Sequence, residues 1–201
     1  MSVGLMAILA KAFQLFLVLD PIGNTGIIAT LISGFTKERQ RVILIRELCF
    51  ALIILLTVFF AGTYLLDALG VSQAAVTITG GIIFFLFSIS LLFPGASVVN
   101  LKNLDEEPLV VPIATPLIVG PSSTATVILF SHEPGMWTGS LIAVMLAWIL
   151  TAIIVLLGPF LLLRVGKTGM QVAERIIGMI CSMIAVKMVL QGLKLFLADL
   201  A

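Results

Sequence analysis

Charge is scarce in this sequence. Only 10% of its 201 residues are Asp, Glu, Lys or Arg, against 61% hydrophobic, whereas a soluble domain carries roughly 25% charge. So few polar groups cannot cover a water-exposed surface, which excludes an ordinary soluble domain. Histidine is almost missing: the single one, His132, has no partner at zinc-ligand spacing and sits beside Glu133, Pro134 and Gly135 as a solvated turn residue. The two cysteines, Cys49 and Cys181, lie in apolar helical sequence, where a thiol is a small buried hydrophobe, and a disulfide between them is poorly motivated. No basic stripe and no phosphate-binding glycine loop is present, so neither nucleic acid nor nucleotide is an expected partner. A formal net charge of +1 points to no ionic partner.

What the chain does have is length of apolar sequence. Residues 48–66 run nineteen positions without a formal charge, 74–95 add twenty-two, and 137–163 form another such stretch. Each is long enough for the roughly 20 residues of helix that cross a bilayer. The first apolar segment starts at Leu5, but Lys11 lies inside it and no small-residue cleavage pattern follows, so it reads as a retained span rather than an export signal. Six segments result, at 5–34, 47–66, 74–93, 109–131, 138–163 and 172–195. Helices are expected because they satisfy their own backbone groups in lipid, as open sheet edges cannot.

An even number of crossings puts both termini on one side. The odd loops carry Lys37, Arg39, Arg41, Arg46, Lys102, Arg164, Lys167 and Arg175, counting those just inside helix ends, while the other side has only Lys11, Lys187 and Lys194. Short loops rich in Lys and Arg are retained in the cytoplasm, so both termini are expected outside. Trp137 fits an outward interfacial anchor; Trp148 lies deeper and fits an internal surface equally well. Phe84, Phe85 and Phe87 suit lipid contact or packing rather than a cofactor.

The halves answer each other. Pro21, Thr25 and Ile28 fall 100 positions before Pro121, Ala125 and Ile128, and Ile78 and Gly80 correspond to Ile176 and Gly178. The pattern of proline, short polar cluster and apolar helix implies a duplication into residues 1–93 and 109–201. Residues 94–108, with Asn100, Asn103, Asp105, Glu106 and Glu107, form a solvated connector. Three crossings per half invert the second half relative to the first. The expected fold is thus an all-α polytopic membrane protein of six transmembrane segments in two inverted three-helix repeats, an arrangement that serves transporters.

Segments 1 and 4 are interrupted. Residues 5–34 as one helix would rise about 45 Å against roughly 30 Å of hydrocarbon, and a break resolves the excess. Pro21 lacks the amide hydrogen of an internal helix bond, Gly23 and Gly26 permit tight turns or close approach, and Asn24 or Thr25 is available to cap the resumed helix. In the second half Pro116, Gly120 and Pro121 break the helix, with Ser122, Ser123 and Thr124 as caps. Two helix N-termini inside a membrane favour anions. Asp20, an intramembrane carboxylate, needs a partner or an aqueous cavity. It is a candidate ligand for a coupling proton or sodium ion or for the ammonium of a zwitterion; the plainer reading is a helix cap, and the two roles can coexist. Asn24, Thr25, Ser122, Ser123 and Thr124 supply neutral donors and acceptors that suit a small zwitterion, although water or a cation fits the same groups, and close packing alone also explains the breaks. Arg46 and Glu47 fit a gate, or better an interfacial snorkelling pair. Lys187 reaches either Asp20, a cavity or the outer interface. Gly80, Gly81 and Gly178 look like close-packing positions.

These motifs carry a resemblance. The "DPIGN" at 20–24, "RE" at 46–47, "TGG" at 79–81 and "PLIVGP" at 116–121 followed by small hydroxylated residues resemble the MarC family of bacterial integral inner-membrane proteins across nearly the whole chain. The resemblance implies a six-span plasma-membrane protein of two related halves. It also implies relatedness to a small-neutral-amino-acid transporter, with glycine and alanine as substrate types, and a more distant similarity to lysine-exporter-type amino-acid exporters. The family's Asp-Pro-x-Gly-Asn maps onto Asp20, Pro21, Gly23 and Asn24, and its Gly-Pro onto Gly120 and Pro121. The function expected is secondary transport of small polar solutes by alternating access between the two breaks. A channel, or a structural or regulatory membrane protein, is the alternative. No enzyme is expected, since Ser122 and Ser123 lack an identifiable general base. No cofactor is implied; the partners are the lipid bilayer and the solute, and the sequence does not fix the oligomeric state.

Overall fold

The computed structural model describes residues 2–93, 113–133 and 135–199, and the connector 94–108 lies outside them. Among the described residues every regular element is helical. In chain order these are α1 (Ser2–Leu19), α2 (Pro21–Leu31), α3 (Lys37–Leu69), α4 (Gln73–Leu92), a π-turn (Ile113–Ile118), α5 (Pro121–Ser131) and α6 (Trp137–Asp199). Five helical stretches are long and apolar enough to cross a membrane: Gly4–Ala29, bent between α1 and α2, then Lys37–Gly62, Gln73–Leu92, Trp137–Gly158 and Gln171–Ala198. The fourth expected segment is described only from residue 113, and there it is the π-turn and α5, neither of crossing length by itself.

Two expected boundaries move. The second segment begins at Lys37 rather than 47, because Lys37, Glu38, Arg39 and Arg41 continue the helix instead of forming a loop. Segments 5 and 6 are separate helices, as expected, but they are joined by a kink rather than by an extended loop. A single residue makes the kink: Gly166, at φ 72° and ψ 167°, takes a left-handed conformation that only glycine adopts without cost. The helix is therefore described as two arms, α6a (137–165) and α6b (167–199).

The most extensive helix pairing is α4 on α6. It is built on small residues every seven positions, Ala74, Gly81 and Ser88 on α4 against Gly192, Ala185 and Gly178 on α6b. Gly192 lies against Ile78 and the Ala74 carbonyl, Gly81 against Val189 and the Ala185 carbonyl, and Gly178 against Leu91, Leu92 and the Ser88 carbonyl. Such backbone proximity lets dispersion hold helices together in lipid, where no hydrophobic force does so. Gly80 makes only ordinary contacts, with Ala125 and Met188.

Two apolar clusters result. One joins α1, α2, α3, the π-turn, α5 and α6a through Leu15, Leu48, Phe59, Ile118, Val127 and Val144; the other joins α1, α4 and α6b through Leu17, Val18, Phe84, Cys181, Ala185 and Met188. Phe84 is thus core, stacked on Phe87 at 6.3 Å, while Phe85 is exposed. Trp137 packs on Phe59 and Phe60, and Trp148 donates its indole N–H to the Leu48 carbonyl at 3.1 Å, an internal anchor. Large apolar side chains such as Met6, Leu86 and Phe160 cover the outside, as a lipid-facing surface requires. Both cysteines are free, Cys49 exposed and Cys181 buried.

Candidate functional site: two helix breaks joined by one amide

Asp20 makes the first break. Its φ of 42° is left-handed, a region that Asp and Asn tolerate better than other side chains. The residue is buried, 4% exposed, and its Oδ1 accepts the Gly23 N–H at 3.1 Å. Asp20 is therefore the cap of α2, with Pro21 at the first helical position, where its missing N–H costs nothing. The expected caps Asn24 and Thr25 are instead inside α2, because Pro21 starts the helix earlier than the polar cluster suggests. A Cβ on Gly23 would collide with the Asp20 carboxylate, so the glycine makes room for the cap. A Cβ added at Gly26 would meet no described atom within 4 Å.

The cap has a consequence upstream. With the Gly23 N–H turned to the carboxylate, the Leu19 carbonyl loses the donor that a continuous helix would give it. In the second half, Pro121 has no N–H for the Leu117 carbonyl four residues before it. Asn24 meets both needs: its Nδ2 donates to Leu19 O at 3.0 Å and to Leu117 O at 2.7 Å. One buried amide, 8% exposed, thus ties together breaks 93 residues apart.

The second break is built differently. Val119 N–H reaches back to Ala114 O at 2.9 Å, closing the π-turn, and Thr115 inside it is extended at φ −136° and ψ 129°. Gly120 caps α5 with no side-chain hydrogen bond, and Pro121 opens the helix. The expected caps again lie inside the helix: Ser123 Oγ donates to Gly120 O at 3.0 Å, and Thr126, the next hydroxyl along, to Ser122 O at 2.8 Å. Ser122 and Ser123 are buried, and Thr124 is half-buried. Thr25 donates to Pro21 O at 2.7 Å, and its side chain lies against Gly158 of α6a. The helices after the breaks match in form, 11 residues each, starting on Pro21 and Pro121.

Three charged groups complete the picture. Arg46 holds Glu47 Oε1 through Nε at 3.1 Å and Nη2 at 3.0 Å. Glu47 is 0% exposed on the inward face of α3, ten residues into a helix that starts at Lys37. Lys11 of α1 pairs with Glu133, donates to Ser140 Oγ at 2.9 Å and lies over the Phe130 ring, tying α1 to the α5–α6 turn. The only sequence signal for this tie was a lysine inside an apolar stretch. Lys187 is exposed and lines an open groove on α6b with Lys194. Across the first break, Asp20 lies within electrostatic reach of Glu174 and Cys181 on α6b.

A chain of long apolar helices, with two proline-led breaks meeting inside the helical bundle, is a polytopic α-helical membrane protein with a discontinuous-helix centre. Its residues 5–197 match the family described as "MarC family integral membrane protein", and the chain belongs to that family. It is 38% identical over 193 residues to the UPF0056 inner membrane protein YhgN of Escherichia coli K12, covering 94% of this chain and 98% of the relative. It is 37% identical over 188 residues to a UPF0056 membrane protein of Buchnera aphidicola from Schizaphis graminum, covering 93% and 96%. An archaeal relative, UPF0056 membrane protein MJ1677 of Methanocaldococcus jannaschii, is 28% identical over 190 residues, covering 90% and 93%. No solved structure matches the chain.

Proposed function

We propose that this protein is a secondary transporter of small polar solutes, with small neutral amino acids as the substrate class, working by alternating access around the two breaks. The observation that carries the reading is the Asn24 bridge, which holds both discontinuous segments at one place beside the buried Asp20 carboxylate. Discontinuous helices that meet at a repeat interface are where secondary transporters bind solute and coupling ion. The equal helices starting at Pro21 and Pro121, and the antiparallel pairing of α4 with α6b, support two inverted three-helix repeats, 1–93 and 109–201. Asp20 serves as ligand for the ammonium or for a coupling proton or sodium ion. Carrier rather than catalytic chemistry is favoured because the Thr25, Ser123 and Thr126 hydroxyls are each donated to a backbone carbonyl.

The membrane is the bacterial inner membrane, in keeping with the name of the Escherichia coli relative. Both termini face outward, on the charge bias of the loops. In that orientation the Lys11–Glu133 pair closes the outer side above the breaks, and Gly166 is the hinge between the last two spans. A reporter fused after Ala201 is expected to read as periplasmic; activity of a cytoplasm-dependent reporter there would reverse the topology.

Counterflow into proteoliposomes tests the function. Saturable exchange of glycine or alanine is expected, and D20N is expected to lower it by about tenfold or more, the effect of losing roughly 1.4 kcal/mol of charge-assisted binding. Asn caps helices as well as Asp and tolerates the same left-handed backbone, so this variant removes charge without removing the fold. Retention of full exchange by D20N would strip Asp20 of its role, and flux that never saturates would favour a channel.

A further inference from the structure

Among the described residues, four buried side-chain polar atoms have no hydrogen-bond partner: Glu47 Oε2, Thr115 Oγ1, Thr151 Oγ1 and His132 Nδ1. His132 ends α5 at a turn. The other three belong to α3, the π-turn and α6a, and these elements pack into one apolar cluster through Leu44, Leu48 and Ala51, through Ile113, Ala114 and Ile118, and through Val144 and Ala147. Buried oxygens are rarely left alone in a native protein, and each that is calls for an explanation.

Their depths agree. Phe59 and Phe60 pack on Trp137, and Leu48 O accepts from Trp148, so α3 and α6a run antiparallel in a register that sets Thr151 opposite Ile45. Helical side chains lean toward their own N-terminus, which brings the Glu47 carboxylate down to that same level. Thr151 lies on the buried face of α6a with Val144, Ala147 and Val155, as Glu47 lies on the buried face of α3; each is 0% exposed. The π-turn packs directly on α3 and presents Thr115 where its backbone is extended rather than helical.

We propose that Glu47, Thr115 and Thr151 form a site for a monovalent cation of sodium's size, enclosed between α3, the π-turn and α6a. The donor set is all oxygen, which suits a hard ion. It contains a single carboxylate, and no group of three His, Cys, Asp or Glu side chains occurs among the described residues, so the charge is too low for a divalent metal. Arg46 takes Oε1 of Glu47 from the half-exposed side and leaves Oε2 inside without a donor, available as an oxygen ligand. Unwound backbone beside a carboxylate is a common cradle for sodium in membrane proteins.

Thermal melting of the purified full-length protein in detergent, with sodium replacing potassium at constant ionic strength, tests the site. A saturable rise of several degrees in Tm is expected, since an ion that binds only the folded state stabilises it. T115V and T151V keep the branched shape and lose the oxygen; each is expected to abolish the sodium-dependent rise with little change of Tm in potassium. E47Q is expected to do the same, and where it fails to fold the threonine variants decide. Equal Tm in sodium, potassium and choline, or a full sodium response in both threonine variants, overturns the site. The readout requires no solute, so failure here and failure of counterflow are separate results.

Discussion

Replacing Asn24 with leucine is expected to destabilise the protein by about 2–4 kcal/mol, and replacing it with aspartate by more. Each carbonyl that Asn24 serves has lost its ordinary donor, Leu19 because the Asp20 cap takes the Gly23 N–H and Leu117 because Pro121 has none. Neither regains one by a small helix adjustment. Leaving a buried acceptor unpaired costs about 1–3 kcal/mol, and partial re-pairing within a helical bundle lowers the total for two. Aspartate keeps the size but turns a donor into a charged acceptor facing two carbonyl oxygens. Thr25 is the natural control: its hydroxyl donates to Pro21 O, one turn back in the same helix, so T25V is expected to change stability by a few tenths of a kcal/mol. Thermal unfolding in detergent compares the three variants. If N24L melts with the unmodified protein, the two breaks are not joined through this amide, and the proposed solute site loses its central support.

How much of this was legible in the sequence follows from the reach of each kind of signal. Membrane class and the places where helices break were legible, because they depend on local composition: long apolar runs for the first, and Pro21, Gly120 and Pro121 for the second. The Asp20 cap was legible too, as the plainer reading of that carboxylate, whereas the polar residues after each proline lie inside the helices, because proline at the first helical position makes the residue before it, Asp20 or Gly120, the cap. The burial of Glu47 was not legible because an apolar run marks only where charge ends, whereas a helix can carry charge through its first turns and bury the side that packs. The Lys11–Glu133 pair and the double role of Asn24 join residues far apart in sequence, and no one-dimensional pattern contains that distance.

The glycine seam allows a prediction that separates packing from chemistry. An added Cβ at Gly81 would lie 2.9 Å from Val189 N and 3.1 Å from Ala185 O, and at Gly192 the same atom would lie 2.9 Å from Ile78 N and 3.1 Å from Ala74 O. These obstacles are backbone, so no side-chain rotation relieves them and the helices must move apart. G81A and G192A are each expected to cost about 1–3 kcal/mol, the usual penalty of overpacking. Gly80, one residue away, meets only the Ala125 Cβ and the Met188 Cε at 3.5 Å, and G80A is expected to be neutral or slightly stabilising through its better helix propensity. The ordering, with Gly81 and Gly192 sensitive and Gly80 tolerant, depends on the antiparallel register of α4 and α6b and on the room that Ala125 of α5 leaves beside Gly80. Comparable losses at Gly80 and Gly81 would mean that the register differs by a residue. The seven-residue match of Ala74, Gly81 and Ser88 with Gly192, Ala185 and Gly178 would then be coincidence rather than the contact that holds α4 and α6b together.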